Sequence, residues 1–310
     1  MVQFIPRRLQ GILALLIVTL VWGTTFPAMK DLTAHFSAVW IILMRFAMAG
    51  LLLAPFLWRA HWRDYLPGVL LGATLFLCYM LQLEGLALTS SNRNAFVTGL
   101  NVLVVPLLGL LAGKAPERRI VIAIALAIVG LFALCWDGGA WGVGDNLALT
   151  GAFFFGVYVK LLEVLTRRAS NLMVLTTVQI LVVAVCAGFW LVFWELPRQP
   201  VDWAVMASAM RTDRVNFLYL GLVATAAIIS LQTWGQRHSS ANEAAVIYAF
   251  EPACAAIAAY FWLGEVMSWR GLAGAALLIA GMIVSQWVSP AQRRKLLAAE
   301  SRAVMPISNN

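Results

Sequence analysis

The chain has 310 residues, 62% of them hydrophobic and only 12% charged, and a mean hydropathy of +0.85. Soluble domains carry roughly 25% charged residues, so this composition excludes a soluble globular protein and indicates an integral membrane one. The net charge of +8 does not mark a nucleic-acid binder, because the basic residues gather at the ends of apolar runs, where the positive-inside rule uses them.

Ten apolar runs reach the length of about twenty residues that a helix needs to cross a hydrocarbon core of about 30 Å. They lie near 10–29, 38–58, 66–88, 94–113, 119–137, 146–165, 171–194, 215–236, 241–263 and 269–288. The first continues to Trp22-Gly23-Thr24-Thr25-Phe26 without a convincing small-residue cleavage site, so it reads as helix one and not as a signal peptide. Arg7-Arg8, Arg59/Arg63, Lys114/Arg118/Arg119, Arg167/Arg168 and Arg293/Arg294/Lys295 fall on one side if the runs alternate, which predicts both termini in the cytoplasm. Most tryptophans fall near predicted helix ends, as an interfacial belt requires. Trp22 is the exception, lying inside helix one with Phe26 and Met29 at i, i+4, i+7 spacing; packing and a cavity wall both fit that stripe.

The stretch from Ser90 to Gly130 returns as Ser239 to Gly281. Each copy opens with a Ser-Ser pair and runs through an apolar helix expected to break at a proline, Pro106 or Pro252. Lys114, Arg119 and Gly130 then stand opposite Glu265, Arg270 and Gly281 at identical spacing, and Gly72 matches Gly221. A doubled unit with five spans, an odd number, must begin its second copy on the opposite membrane face. The expected fold is therefore all-α, ten transmembrane helices as two inverted five-helix repeats, the architecture of secondary transporters that alternate access across a pseudo-two-fold axis. The expected domains are a cytoplasmic segment 1–9, a first repeat 10–137, an external linker 138–145, a second repeat 146–288 and a cytoplasmic tail 289–310. Gly68/Gly72, Gly109/Gly113 and Gly274/Gly281 are read as close helix contacts. The segment from Glu195 to Arg214 is an external loop with room for a short interfacial helix. Cys78, Cys135, Cys186 and Cys254 fall in the spans and are expected as free thiols.

Polar side chains at membrane depth are costly and point to function. Glu251 lies near the middle of helix nine with Pro252 behind it, which frees the carbonyl of Tyr248. It can bind a solute ammonium or carry a coupling proton; burial for packing is the plain alternative. Asn101 lies at the matching depth of helix four, with Asn94 and Thr98 along the same face. Gln82 and Gln232 occupy matching places in helices three and eight, Tyr79 is one turn from Gln82, and Gln179 and Tyr158 lie mid-helix in seven and six. Each alone serves equally as a helix-to-helix hydrogen bond; together they outline a central cavity. Arg45, about 12 Å from the outer end of helix two by the helical rise, can snorkel outward, bind a solute carboxylate or pair with Glu251. Lys160 and Glu163 read as a local i, i+3 ion pair.

At these residues the chain resembles the drug/metabolite transporter superfamily, specifically its ten-helix exporters built from two EamA-type domains. Trp22-Gly23-Thr24-Thr25-Phe26 is similar to the first-helix signature, Met44-Arg45-Phe46 to that of the second, and Leu263-Gly264-Glu265 with Gly274 and Gly281 to the closing pattern. Glu251-Pro252 resembles the helix-nine proline motif, and the likeness covers about residues 10–288. Two departures stand out: Lys114 sits where the first domain often has the Glu seen here as Glu265, and helix four carries its proline one turn late. The resemblance implies export of small polar metabolites, with amino acids, aromatic ones included, among the substrate classes. It favours Trp22, Tyr79, Asn101, Tyr158, Tyr248 and Glu251 as cavity residues, to which the residue reading adds Gln82 and Gln179. The alternative is a broad-specificity drug or nucleobase efflux transporter. The expected partners are a small-molecule substrate and the lipid bilayer of the cell inner membrane, with no nucleic acid. A proton handled by Glu251 joins them if transport is coupled, and facilitated diffusion fits equally; the chain is expected as a monomer. No GxxxxGK[ST] loop is present for nucleotide, and His35, His61 and His238 are scattered with no HExxH or GxSxG around them. No enzyme, catalytic residue, metal or cofactor is therefore expected.

Overall fold

The computed structural model describes residues 6–59, 61–113, 115–135, 140–198, 201–263 and 268–286. Lys114, Trp136, Glu265, Trp287 and the tail arginines lie outside the described residues. Within them the structure is helical with no strand. Its helices are α1 (Arg7–Leu32), α2 (Ala38–Leu53), α3 (Trp62–Leu88), α4 in two halves (Ser91–Gly99 and Asn101–Leu111), α5 (Arg118–Cys135) and α6 (Val143–Arg168). There follow α7 (Leu172–Trp190), α8 (Arg214–Leu218, a π-helical stretch Tyr219–Ala227, then Ile228–Arg237), α9 in two halves (Ala241–Tyr248 and Glu251–Leu263) and α10 (Trp269–Gln286). By length and composition seven helical stretches can each cross a membrane, and Trp269–Ser285 is a shorter apolar helix. Between α7 and α8 a short helix, Trp203–Thr212, lies in the predicted loop, begun by Asp202, whose carboxylate accepts from the backbone N–H of Ala204 and Val205.

Helix pairing follows the duplication. α3 packs on α6 as α8 packs on α1, α4 on α6 as α9 on α1, and α2 on α8 as α7 on α3. The remaining large contacts, α2 with α7 and α5 with α10, each join a helix to its own counterpart. Exchanging the two five-helix units therefore leaves the contact pattern unchanged, which is the arrangement of an inverted pair about an in-plane axis.

Small residues make these approaches possible. A Cβ at Gly274 would lie 2.6 Å from the Leu134 backbone nitrogen and 2.7 Å from the Gly130 carbonyl, so α5 and α10 touch backbone to backbone. Gly68 and Gly72 meet Val178 and Val182 of α7 in the same way. Gly113 does not. It has φ +73, a left-handed conformation, and open space where a Cβ would be, so it ends the second half of α4 as a C-terminal cap and packs nothing. At the far end of α3, Lys30 Nζ reaches back to the Leu86 carbonyl at 2.7 Å and the Thr89 carbonyl at 3.0 Å, closing a helix end.

The proline reading of the broken helices needs correction. In α9 the break at Ala249 and Phe250 immediately precedes Glu251-Pro252, as a missing N–H and the ring's clash with the carbonyl of Tyr248 dictate. In α4 the break falls at Leu100, and Pro106 sits inside the continuous half-helix Asn101–Leu111. Gly99, a poor helix former, is the last residue before it. The two breaks nevertheless occupy matching places in the repeats, and Asn101 and Glu251 are the first residues of the two second half-helices. Cys78, Cys186 and Cys254 are free, and the side chain of Cys135 lies outside the described residues.

Candidate functional site

A cavity opens at the level of the helix breaks. Its walls come from α1, α3 and α4 of the first repeat and from α6, α8 and α9 of the second, the same three helices from each. Water centres can occupy about 30 Å³ of it, room for about two water molecules.

Seven of the eight residues expected to bind a solute line it. Trp22 enters from α1 and Tyr248 from α9, their rings 5.7 Å apart. Tyr79 and Gln82 come from α3, Asn101 from α4, Tyr158 from α6 and Glu251 from α9. Gln179 does not reach the cavity. It stands behind Tyr158, accepting that hydroxyl at 3.0 Å and donating to Thr233 Oγ1 at 3.2 Å, so it fixes a wall residue from α7. Trp22 is held by its indole N–H, which donates to the Ala224 carbonyl in the π-helical stretch of α8 at 3.2 Å. Tyr248 donates to Gln236 Oε1 at 3.3 Å. Thr25, Phe155 and Val159 line the cavity without having been singled out. Their signal was spacing: Thr25 lies one turn from Trp22, and Phe155 one turn from Tyr158, on faces already assigned to the cavity.

The chemistry is an aromatic box with polar points. Tyr79 meets Phe155 edge-on at 5.9 Å and Phe46 at 5.1 Å. Among these rings, Asn101 Oδ1, Thr98 Oγ1 and Gln232 Oε1 are buried oxygens with no hydrogen-bond partner. Glu251 has no ion-pair partner among the described residues. Buried polar groups are normally paired, so a cluster of unpaired acceptors on one cavity marks a place that a donor-rich guest completes.

Arg45 neither snorkels nor meets Glu251. Its side chain is buried, Nε donating to Thr225 Oγ1 at 2.9 Å and Nη1 to Met29 Sδ at 3.2 Å, one side-chain layer behind the cavity wall. Lys160 and Glu163 do form the local pair, and Arg167 adds a second cation to the same carboxylate at 3.1 Å.

Ion pairs join the two repeats on both faces of the bundle. On the face that carries the start of α1, Arg8 pairs with Glu243 of α9, and Arg119 of α5 approaches the same carboxylate at 3.5 Å. On the opposite face, Arg93 of α4 donates to Asp145 of α6 at 2.7 Å.

Residues 9–136 and 142–286 each match the EamA-like transporter family. The chain belongs to that family. Its two matched stretches are the two repeats, and the drug/metabolite transporter signature suggested by the short motifs is carried by nearly the whole EamA-like transporter. It is 29% identical over 279 residues to an uncharacterized transporter of Archaeoglobus fulgidus, covering 90% of this chain and 86% of the relative. It is 26% identical to a probable terminal-alkyne amino-acid exporter of Streptantibioticus cattleyicolor, covering 92% of this chain and 96% of that one. A solved crystal structure, 17% identical with a TM-score of 0.71, covers 90% of this EamA-like transporter and 99% of its own chain, and shares the fold.

Proposed function

We propose that this EamA-like transporter is a secondary carrier, without enzymatic activity or cofactor, that exports small polar metabolites such as amino acids, aromatic ones included, by alternating access. The observation that carries the reading is the set of unpaired oxygens, Asn101 Oδ1, Thr98 Oγ1 and Gln232 Oε1, that line one aromatic-walled cavity together with the Glu251 carboxyl, a cavity built equally from both repeats. An ammonium group supplies three donors to such acceptors, and rings such as Trp22 and Phe155 suit an apolar or aromatic side chain. Its similarity to a probable terminal-alkyne amino-acid exporter supports that substrate class.

The cycle follows from the two closing pairs. In this reading the state with Arg8–Glu243 and Arg93–Asp145 both made is the occluded one. Releasing one pair while keeping the other lets one repeat rock against its counterpart and opens one side, and the pseudo-two-fold contacts provide an equivalent packing for the other side. The arginine-rich ends of α1, α5 and α6 support placing the Arg8 face and both termini in the cytoplasm, and the protein in the cell inner membrane as a monomer. If transport is proton-coupled and not facilitated, Glu251 carries the proton in this reading.

The test is counterflow in liposomes: a labelled aromatic amino acid exchanged against unlabelled amino acids, purines and amphipathic cations. Competition by amino acids alone supports the reading. Competition by planar cations or purines, with none by amino acids, replaces it with drug or nucleobase efflux, which the aromatic walls also fit.

A further inference from the structure

Arg45 is a buried charge that the reading above leaves unused. It is 1% exposed, and among the described residues it has no carboxylate partner. Its Nη2 makes no hydrogen bond. A guanidinium in the middle of an apolar bundle is expensive unless something offsets it. Here the offsets are weak: the Tyr79 ring lies 4.8 Å and the Phe46 ring 5.4 Å from its central carbon, and the acceptors are a hydroxyl and a thioether.

The surroundings hold the guanidinium in a fixed orientation. In α8 the π-helical stretch lets the Thr225 hydroxyl donate five residues back, to the Leu220 carbonyl at 2.7 Å, which leaves its oxygen facing Arg45 Nε at 2.9 Å. Gly221, one turn earlier, lets α2 come close enough that a Cβ there would meet the Arg45 carbonyl at 3.3 Å. On the other side are two cavity residues. Met29 supplies the sulfur that Nη1 contacts, and Tyr79 supplies the ring beneath. Tyr79 and Met29 share the cavity lining with Glu251, so these two side chains separate the guanidinium from the cavity that Glu251 faces.

We infer that Arg45 is the carboxylate-binding residue of the carrier, uncovered when Met29 swings aside, so that the transported solute spans from Arg45 to Glu251 as a zwitterion. The inference rests on the amino-acid reading and narrows it to solutes with a free carboxylate. Met29 is suited to the part because its thioether is a weak acceptor on a flexible chain, which a carboxylate displaces by a charge-assisted bond. The Arg45 guanidinium and the Glu251 carboxyl, on opposite repeats, are then completed by a single guest.

The experiment is counterflow by purified protein in liposomes with labelled phenylalanine, phenylalaninamide and phenethylamine. The wild-type protein is expected to show a KM for the amide and the amine at least about tenfold above that for phenylalanine, a comparison that needs no variant. Arg45→Gln is expected to erase that preference by raising the phenylalanine KM, and Arg45→Lys to restore part of it. Equal KM values for phenylalanine and its amide in the wild-type protein overturn the inference while leaving amine export standing. So does a folded Arg45→Gln that keeps the preference, or one that loses flux of all three in equal measure. Failure of the wild-type protein to carry any of the three removes the amino-acid reading itself, and this inference with it.

Discussion

Arg93 and Asp145 form, 2.7 Å apart, the mirror of the pair that Arg8 and Glu243 make at the other end of the molecule. Arg93 begins α4 and Asp145 begins α6; Glu243 begins α9 and Arg8 begins α1. Under the repeat, α4 corresponds to α9 and α6 to α1, so the same helix junction is closed on each face with the signs of the charges exchanged. Asp145 also accepts from the Gly142 N–H at 2.8 Å, and Arg93 donates to the Ala140 carbonyl at 2.9 Å, which ties the connection between the repeats into this closure.

Neutralising one pair should therefore bias the protein toward opening on one face. Removing one partner of a buried pair such as Arg93–Asp145 costs about 3–5 kcal/mol, enough to shift a two-state equilibrium by two orders of magnitude or more. The shift should be smaller at Arg8–Glu243, where the Arg8 side chain is 32% exposed and screened by solvent. In a background carrying Thr98→Cys and no native cysteine, Asp145→Asn should raise labelling by a membrane-impermeant maleimide from the Arg93 face, and Glu243→Gln from the Arg8 face. The swap Arg93→Asp with Asp145→Arg should bring labelling back toward the parent level. Equal labelling from both faces in the single variants would remove these pairs from the gating cycle.

Glu251→Gln separates proton coupling from simple exchange. The variant keeps the shape of the side chain and its place at the head of the second half of α9. Solute counterflow without a gradient should persist, while accumulation driven by an imposed pH gradient should fall to the level of exchange. Gradient-driven flux equal to wild type would mean that the proton travels elsewhere or not at all.

Tyr158→Phe tests the wall behind the cavity. Loss of the hydroxyl leaves Gln179 Oε1 buried without its 3.0 Å donor, a loss of about 1–3 kcal/mol. Thermal unfolding in detergent should show it as a lower Tm. Gln179→Ala should lower stability too, and its effect on flux should pass through Tyr158, since Gln179 itself stands outside the cavity.

Gly23→Ala should damage the contact between α1 and α9. The added Cβ meets Cys254 and lies 2.8 Å from the Ala255 nitrogen, where backbone cannot yield. Overpacking of this kind costs about 1–3 kcal/mol or more. Because the contact lies beside the Trp22 and Tyr248 rings, counterflow should fall with stability, and a parallel measurement of Tm and KM checks both.

The ten segments and their doubling were legible because a bilayer imposes a length on every helix and an odd unit imposes its inversion. The depth of Glu251, Asn101, Gln82 and Tyr79 placed them near the cavity for the same reason. Side-chain direction was less legible. Gln179 and Tyr158 share a depth, but only helix rotation decides that one faces the cavity and the other supports it from behind. The break at Leu100 was hidden because the visible signal, Pro106, belongs to a stretch whose neighbours keep it helical. Arg93, Asp145 and Glu243 went unread because charges at helix ends usually face water; their positions just after Ser90 and Ser239, and at the head of α6, were the available sign. Gly113 followed a spacing that resembles a packing motif while serving to end a helix.

The narrowness of the cavity carries a further consequence for a cell that keeps a voltage across its membrane. Room for about two waters at the centre is too little for a continuous file through the cavity, so this state should leak few ions or hydrated protons, which proton-leak measurements in substrate-free liposomes check. The carrier's abundance can then rise and fall with demand without draining the energy stored across the bilayer.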